Sequence, residues 1–407
     1  MWTSNQCVVL TGRPGSGCLS GHGAEADNTL WFLYDTSGKV AMTAVASSPE
    51  LALIRNGSYL SWSREAGGAP RWLSDRSTYD KALWIGGIMA FTKIDHVGLL
   101  VDDLEVGRHV FCEGWGLAVD EHRSPWPQGR QGTFDGVTSI EIPIGEMYLE
   151  ISKPNDSASP AAQFVSERRS GMYYMSFASD DIVRDVRMLK ENGITVHGEW
   201  NGEGPVFLDL TTTLGLLIQV VPHENYFVHP YYKGDGTFTG MAHVGLAARD
   251  EHEVRDLFAR KFGLREDLLT RSQENRPAAQ ARQPERDPNR AAGDPVHILE
   301  FPVGGSVLEI SIPTTDDSGT ARLVAQRATL GAVYHHICPF APDVHRAVEM
   351  GKVAGLQQIG TIPPREQTTR ATAWFHPRTC AGTLIEIWNR PPGVEHFESR
   401  EHHHPAQ

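Results

Sequence analysis

The stretch HVGLLVDDLEVGRHVFCEGWGL, which begins at His96, recurs in altered form as HVGLAARDEHEVRDLFARKFGL from His243. Two further stretches share the pattern: YMSFASDDIVRDVRMLKENGI from Tyr174 and HICPFAPDVHRAVEMGKVAGL from His336. Each copy has an apolar run of strand length, an acidic turn, an amphipathic stretch and a glycine followed by an aliphatic residue. Each copy therefore predicts a β-strand followed by an α-helix.

Acidic residues stand where each predicted helix begins, and a glycine stands where it ends. Aspartate side chains accept hydrogen bonds from the free N–H groups of a first helical turn. Glycine readily adopts the left-handed conformation that closes many helices. The residues with these predicted roles are Asp102, Asp103, Asp180, Asp181, Asp250 and Asp343 at the starts and Gly116, Gly193, Gly263 and Gly355 at the ends.

Alternating or continuously apolar runs follow each helix, with the period and length of strands. They are TSIEIPIGEMYLEISKP, VFLDLTTTLGLLIQVVP, HILEFPVGGSVLEISIP and ATAWFHPRTCAGTLIEIWNRP. The chain is therefore predicted to be an α+β protein built from four βαβββ units. Two units lie before His243, and the other two lie from His243 onward. This arrangement indicates a duplicated two-unit domain.

The predicted domains are residues 91–223 and residues 240–392. Residues 224–239 join them as an ordered linker, because this segment is rich in proline, glycine and aromatic residues. Residues 1–88 are a leader of unknown role that precedes all four units, and residues 393–407 are a tail.

Composition excludes several classes of function. The 407 residues include 37 Lys and Arg against 50 Asp and Glu, a net charge of -13, so no broad basic field is available for nucleic acid or an anionic membrane. The longest mostly apolar stretch, Ala82 to Phe91, is about half of the roughly 20 residues that a membrane helix needs. The 5 cysteines are far apart and never form a C-x-x-C pair, which predicts a reducing, cytoplasmic location.

The repeat pattern resembles the vicinal oxygen chelate superfamily, which includes glyoxalase I, methylmalonyl-CoA epimerase, extradiol dioxygenases and small antibiotic-resistance proteins. The resemblance extends over both predicted domains. It implies that paired βαβββ units curl into an open cup. It also implies that metal ligands come from the first and last strands of each unit and point inward.

In the second domain the resemblance places His243, Glu309, His336 and Glu386 at the four ligand positions. Neutral imidazoles and carboxylates suit a divalent first-row metal, and four protein ligands leave two octahedral positions for substrate oxygens. Buried carboxylates in such a cup also need a counter-ion. We therefore predict one divalent metal, either Fe, Mn, Co, Ni or Zn. His335 is not among these ligands, because strand alternation turns it to the opposite face.

In the first domain the same four positions carry His96, Glu150, Tyr174 and Gln219. A phenol and an amide replace one imidazole and one carboxylate, and a phenol must lose its proton to be a strong ligand. We expect this domain to bind no metal and to act as a structural or substrate-covering domain.

The first hypothesis for the reaction is a metal-dependent isomerase or lyase. The metal would bind two neighbouring oxygens of a small substrate and stabilise an enolate, while Glu309 or Glu386 moves the proton. The segment FHPRTCAGTLIEI resembles the last hairpin of methylmalonyl-CoA epimerases. The additional acidic residue that those epimerases carry before the third strand is absent, since DGVTS and DPVHI stand there.

The second hypothesis is an extradiol ring-cleavage dioxygenase, whose family has a metal-free first domain and a metal-bearing second one. Its Fe(II) would use His243, His336 and Glu386 and leave positions for a catecholate and oxygen. That family expects a tyrosine in the last hairpin, where this chain has Trp374, Phe375 and His376.

The third hypothesis is a resistance or binding protein that sequesters a ligand, which needs a cup but no open metal position. Under all three hypotheses the expected partner is a small molecule, not nucleic acid or membrane. A homo-oligomer is left open.

Overall fold

The computed structural model describes residues 91–389, except 133, 135, 226–227, 268–293 and 368–370, and also the backbone of four earlier strands. The predicted tail lies outside the described residues. Contacts divide the chain into two compact units, Met1–Ile88 and Met89–Gln407. No described helix is long and apolar enough to cross a membrane.

The first unit contains one antiparallel sheet in the order β1-β2-β3-β4, which the sequence analysis did not predict. Its strands are β1 Thr29–Tyr34, β2 Val40–Ser47, β3 Glu50–Arg55 and β4 Ser58–Ser63.

The second unit holds two seven-stranded sheets. The elements of the first are β5 Phe91–Leu100, α1 Leu104–Arg108 with a π-helical turn His109–Glu113, β6 Arg130–Gln131, β7 Val137–Ile144, β8 Met147–Pro154, α2 Pro160–Arg168, β9 Gly171–Ser179, α3 Ile182–Glu191, β10 Val206–Phe207 and β11 Leu217–Pro222. Its strand order is β10-β11-β9-β5-β8-β7-β6.

After a 3-10 turn at Pro230–Tyr232, the second sheet repeats this plan. Its elements are β12 Gly240–Ala248, α4 Glu251–Arg255 with a π-helical turn Asp256–Lys261, β13 Val296–Val303, β14 Ser306–Pro313, α5 Gly319–Arg327, β15 Ala332–Phe340, α6 Val344–Val353, β16 Gln358–Ile359, β17 Thr372–Phe375 and β18 Leu384–Trp388, with 3-10 turns at Arg365–Gln367 and Pro377–Thr379. Its strand order is β13-β14-β12-β15-β18-β17-β16.

Both sheets are mixed, with the first strands of two successive units side by side at the centre. Strand β5 pairs parallel with β8 and antiparallel with β9, and β12 pairs in the same way with β14 and β15. This duplicated α+β architecture confirms the predicted fold class.

Four of the six predicted aspartates cap helices, and Asp102 and Asp180 stand one residue before a capping aspartate. Asp103, Asp181, Asp250 and Asp343 each accept a hydrogen bond from a backbone N–H of the first helical turn. The four closing glycines, Gly116, Gly193, Gly263 and Gly355, all have positive φ angles between 64° and 85°.

The structure adds two helices that the sequence analysis missed, α2 and α5, which connect the units of each pair. Each begins after a serine, Ser159 or Ser318, whose side chain accepts a backbone N–H. The second βαβββ repeat also departs from the ideal pattern. An isolated bridge between Val196 and Leu208 stands beside its short strand β10.

The two halves, which carry one sheet each, pack against each other through a shared apolar core. Trp115 of the first half is fully buried, and its indole donates a hydrogen bond to Ala347 O at 3.1 Å. The same ring packs edge-on against Phe375 at 5.3 Å between centroids. Burying an aromatic side chain of this size contributes on the order of 2 to 3 kcal/mol.

Candidate metal centre

Four adjacent strands of the second sheet, in the order β14-β12-β15-β18, each contribute one of the sequence-predicted side chains. They are Glu309 from β14, His243 from β12, His336 from β15 and Glu386 from β18. All four are buried, with at most 7% of their surface exposed.

The donor atoms of these four residues converge. His243 Nε2 lies 2.8 Å from His336 Nε2 and 3.0 Å from Glu386 Oε2, and His336 Nε2 lies 3.4 Å from that same oxygen. The Glu309 oxygens lie 3.8 Å from His243 Nε2 and 3.7 Å from His336 Nε2. Two carboxylates therefore face two imidazoles around one point.

These separations suit a single metal ion. Two donors bound at about 2.1 Å lie about 3.0 Å apart when their bonds meet at a right angle, and about 3.4 Å apart in a tetrahedron. The observed donor separations of 2.8 to 3.8 Å bracket both values. The mixed nitrogen and oxygen set is typical of divalent first-row metals.

The electrostatics of the cluster favour ionised carboxylates. Burial by itself would raise the pKa of Glu386, but hydrogen bonds and positive charge from His243 and His336 hold this pKa well below its usual range. Burial opposes a charged His243, yet Glu309 and Glu386 raise the pKa of His243 above its usual value. The two carboxylates, Glu309 and Glu386, thus favour a positive charge beside them at this point of the sheet.

Trp388 supports the cluster, and the sequence analysis did not identify it. Its indole Nε1 donates a hydrogen bond to Glu386 Oε1 at 2.8 Å, and its ring meets the His243 ring at 4.8 Å. Glu386 therefore keeps its other oxygen, Oε2, toward the imidazoles. The signal in the sequence is the spacing of two in Glu-Ile-Trp, which puts both side chains on one face of a strand.

Gly245 is a second residue whose role only the structure reveals. A Cβ atom at this position would lie 2.1 Å from Cε1 of His336, because the imidazole lies across the backbone of β12. Gly98 has the same relation to Tyr174 in the first sheet, at 1.8 Å. The glycine in each HVGL stretch therefore makes room for the side chain of the neighbouring strand.

The position of His335 differs from the expectation of strict alternation. Gly245 pairs with His336 and Leu246 pairs with Tyr334, so His335 is the extra residue of a β-bulge. Its Nδ1 lies 3.1 Å from His336 Nδ1. The bulge interrupts the period of two, and His335 contacts a candidate ligand directly.

Cys338 is a further candidate donor. With His243 and Glu386 it forms a second group whose donor atoms lie within 4.8 Å of one another. Burial and the nearby carboxylates Glu386 and Glu309 raise the pKa of the Cys338 thiol well above its usual value. The thiol therefore resists the deprotonation that a strong ligand needs.

The equivalent residues of the first sheet make contacts of a different kind. Tyr174 Oη donates to Glu150 Oε1 at 2.7 Å and lies 2.9 Å from His96 Nε2. The side-chain oxygen of Gln219 accepts a hydrogen bond from Ser176 at 3.1 Å. Hydrogen bonds thus join His96, Tyr174 and Glu150 to one another, while Gln219 bonds to Ser176.

Arg130 brings positive charge to this first-sheet cluster. Its guanidinium pairs with Glu150 and with Glu141, the residue opposite Glu150 on β7. Burial disfavours the charged guanidinium, but the two carboxylates raise the pKa of Arg130 above its usual value. A fixed cation of the protein therefore compensates the buried charge of Glu150 and Glu141.

Residues 93–206 match the profile of the Glyoxalase/Bleomycin resistance protein/Dioxygenase superfamily. The superfamily contains metal-dependent epimerases, isomerases and dioxygenases that act on small molecules.

Among individual proteins, the chain is similar to the mitochondrial methylmalonyl-CoA epimerase of Bos taurus. The two are 27% identical over 141 residues, which is 33% of this chain and 77% of the epimerase.

Two solved structures share the fold. A triple mutant of 4-hydroxymandelate synthase from Streptomyces coelicolor aligns with a TM-score of 0.50 at 13% identity, covering 74% of this chain and 93% of the synthase. A fusion protein of a xylose isomerase-like TIM barrel and 4-hydroxyphenylpyruvate dioxygenase aligns with a TM-score of 0.50 at 15% identity over 77% of this chain. The chain spans 52% of that fusion protein.

Proposed function

We propose that the protein is a metal-dependent isomerase or lyase that acts on a small substrate with two neighbouring oxygen atoms. The observation that carries the proposal is the fourth donor. Glu309 lies within 3.8 Å of both imidazoles, so its carboxylate faces the same point as Glu386. Four donors leave two octahedral positions, which a bidentate substrate fills.

The two carboxylates differ in ways that assign them separate roles. Glu386 is held by Trp388 and both imidazoles and is the firmer ligand. Glu309 lies farther from the imidazoles, at 3.7 to 3.8 Å. Its carboxylate therefore needs less movement to detach from the metal position and accept a proton from a substrate carbon. A divalent metal bound here supplies the positive charge that stabilises an enolate. Glu309 is then the general base, and His243 and His336 are ligands.

Hydrogen exchange at the substrate carbon tests this proposal. The protein is purified without oxygen, its metal content is measured, and methylmalonyl-CoA and a panel of 2-oxo acids are incubated with it in D2O. We expect deuterium to enter at the carbon next to the carbonyl group of at least one compound. Exchange that does not exceed the metal-free control for any compound would contradict the proposal.

Two variants separate the roles of the carboxylates. Glu309→Gln should retain metal and slow exchange about 100- to 10,000-fold, the usual cost of losing a positioned acid or base. Glu386→Gln should lose metal as well as rate, because Glu386 is the firmer ligand. Full exchange by the Glu309→Gln protein would refute the role of Glu309.

A second candidate function is ring cleavage by an Fe(II) dioxygenase. His243, His336 and Glu386 form the tighter part of the cluster, with separations of 2.8 to 3.4 Å, and two imidazoles with one carboxylate is the usual face for such iron. This alternative predicts iron in the anaerobic protein, oxygen uptake with catechol and full activity of Glu309→Gln. Tight binding of a compound without turnover would instead favour the ligand-sequestering hypothesis.

We also propose the domain limits 91–223 and 240–392, with 224–239 as the linker. Each range contains one complete seven-stranded sheet with its helices.

A further inference from the structure

A cavity of about 1410 Å³ lies between the two halves of the second unit. Its walls come from the ends of α2 and α5, the starts of β9 and β15, and the turn between β17 and β18. None of the four proposed metal ligands lines it. The proposed function assigns no role to this cavity, although His335, which lines it, lies 3.1 Å from the candidate ligand His336.

The charge of this cavity is opposite to that of the whole chain. Acidic residues outnumber basic ones in the sequence by 50 to 37, yet no Asp or Glu is among the described residues that line the cavity. The lining includes five arginines, namely Arg168, Arg169, Arg322, Arg327 and Arg378. Three imidazoles, those of His197, His335 and His376, line it as well.

Four of these arginines are exposed to solvent, and Arg168 is partly buried. Within the described ranges, none of the five forms an ion pair of 4.0 Å or less with Asp or Glu. Arg168 and Arg327 are the last residues of α2 and α5, which the duplication brings to the same cavity. Burial and the like charge of Arg327 lower the pKa of Arg168 below its usual value. An anion between them would relieve this repulsion.

The preference for basic residues at helix C-termini explains only some of the five arginines that line the cavity. A basic residue in the last turn stabilises a helix through its dipole, which explains one arginine at each helix end. It does not explain Arg322 in the middle of α5 or Arg378 in the turn before β18. It also does not explain the absence of acidic residues from the described lining.

The cavity also offers an aromatic wall. The Arg168 guanidinium lies over the Phe164 ring at 5.1 Å, and Phe164 packs edge-on against Tyr173 at 4.9 Å. The Phe134 ring lies 5.4 Å from the Tyr173 ring between centroids. Rings and guanidinium groups together suit a ligand with a flat or acyl body and a charged end.

We infer that this cavity is a binding site for an organic anion, a molecule with an apolar body and a phosphate or carboxylate group held by the arginines. The body packs on Phe164 and Tyr173, and the charged group lies between Arg168 and Arg327. Because five arginines line the cavity, the affinity should depend on ionic strength.

Calorimetric titration with naphthyl phosphate tests the inference, because this probe combines an aromatic body with a phosphate. We expect one site per chain, affinity at least about tenfold above that of inorganic phosphate or naphthol, and weakening by added salt. Naphthoate tests which charged group the site prefers: equal affinity indicates that phosphate and carboxylate are both accepted, and weaker binding indicates a preference for phosphate. Failure of naphthyl phosphate and naphthoate alike to bind would overturn the inference.

The double variant Arg168→Gln/Arg327→Gln should bind naphthyl phosphate at least about tenfold more weakly. Arg187→Gln is the matched control, since Arg187 is an exposed arginine of α3 outside the lining. Arg378→Gln, an exposed change in a turn, provides a second test if the double variant does not fold. Unchanged affinity in the folded double variant, or in Arg378→Gln when it is the variant used, would refute the site. Metal content is measured in parallel, so failure here is distinguishable from failure of the proposed metal centre.

Discussion

Replacing Trp388 with phenylalanine should weaken metal binding about 10- to 100-fold. The change removes the 2.8 Å hydrogen bond to Glu386 Oε1 but keeps an aromatic ring against His243. A hydrogen bond to a charged group contributes about 1.5 to 3 kcal/mol, and a tenfold change in affinity corresponds to about 1.4 kcal/mol. Loss of an outer partner of a metal ligand typically lowers affinity by the same 10- to 100-fold.

The assay begins with protein stripped by a chelator. Zn²⁺ is then titrated into each variant against a chromophoric chelator of known affinity. Trp374→Phe is the matched control, because the Trp374 ring meets His336 at 5.3 Å and no hydrogen bond from its indole to the cluster occurs in the described part of the chain. We expect this control to retain wild-type affinity. If the Trp388 variant and the wild-type protein bind Zn²⁺ with equal affinity, the hydrogen bond from Trp388 to Glu386 does not strengthen metal binding, and the prediction is refuted.

Three further predictions concern other parts of the chain. His336→Ala should abolish tight metal binding, measured by metal analysis after dialysis; undiminished metal content would overturn the ligand assignment. Arg130→Met should destabilise the protein by about 3 kcal/mol in urea unfolding, because the change removes the cation shared by Glu141 and Glu150, while Arg123 remains paired with Glu141; a loss below about 1 kcal/mol would contradict this. Deleting residues 1–88 should leave the unfolding midpoint of the remainder unchanged, since contacts separate this unit; insoluble protein would count against it.

The repeated units, the α+β class and the helix ends could be predicted from the sequence because they depend on local chemistry. Asp103 and Gly116, for example, act on backbone groups within a few residues of themselves. The period of apolar residues likewise reports which face of a strand is buried, without reference to distant segments. The same local logic overlooked α2 and α5, although Ser159 and Ser318 provided the capping residues.

The candidate ligands were identified by resemblance, and only the tertiary structure brings their donor atoms together. Four adjacent strands, distant in sequence, must pair in one register to make His243 Nε2 and His336 Nε2 neighbours at 2.8 Å.

The bulge at His335, the guanidinium of Arg130 beside Glu150 and the arginine-lined cavity also depend on contacts between distant segments. No period along the chain encodes such contacts, because strand register and the packing of the two halves are decided by the sum of many burial energies over the whole fold.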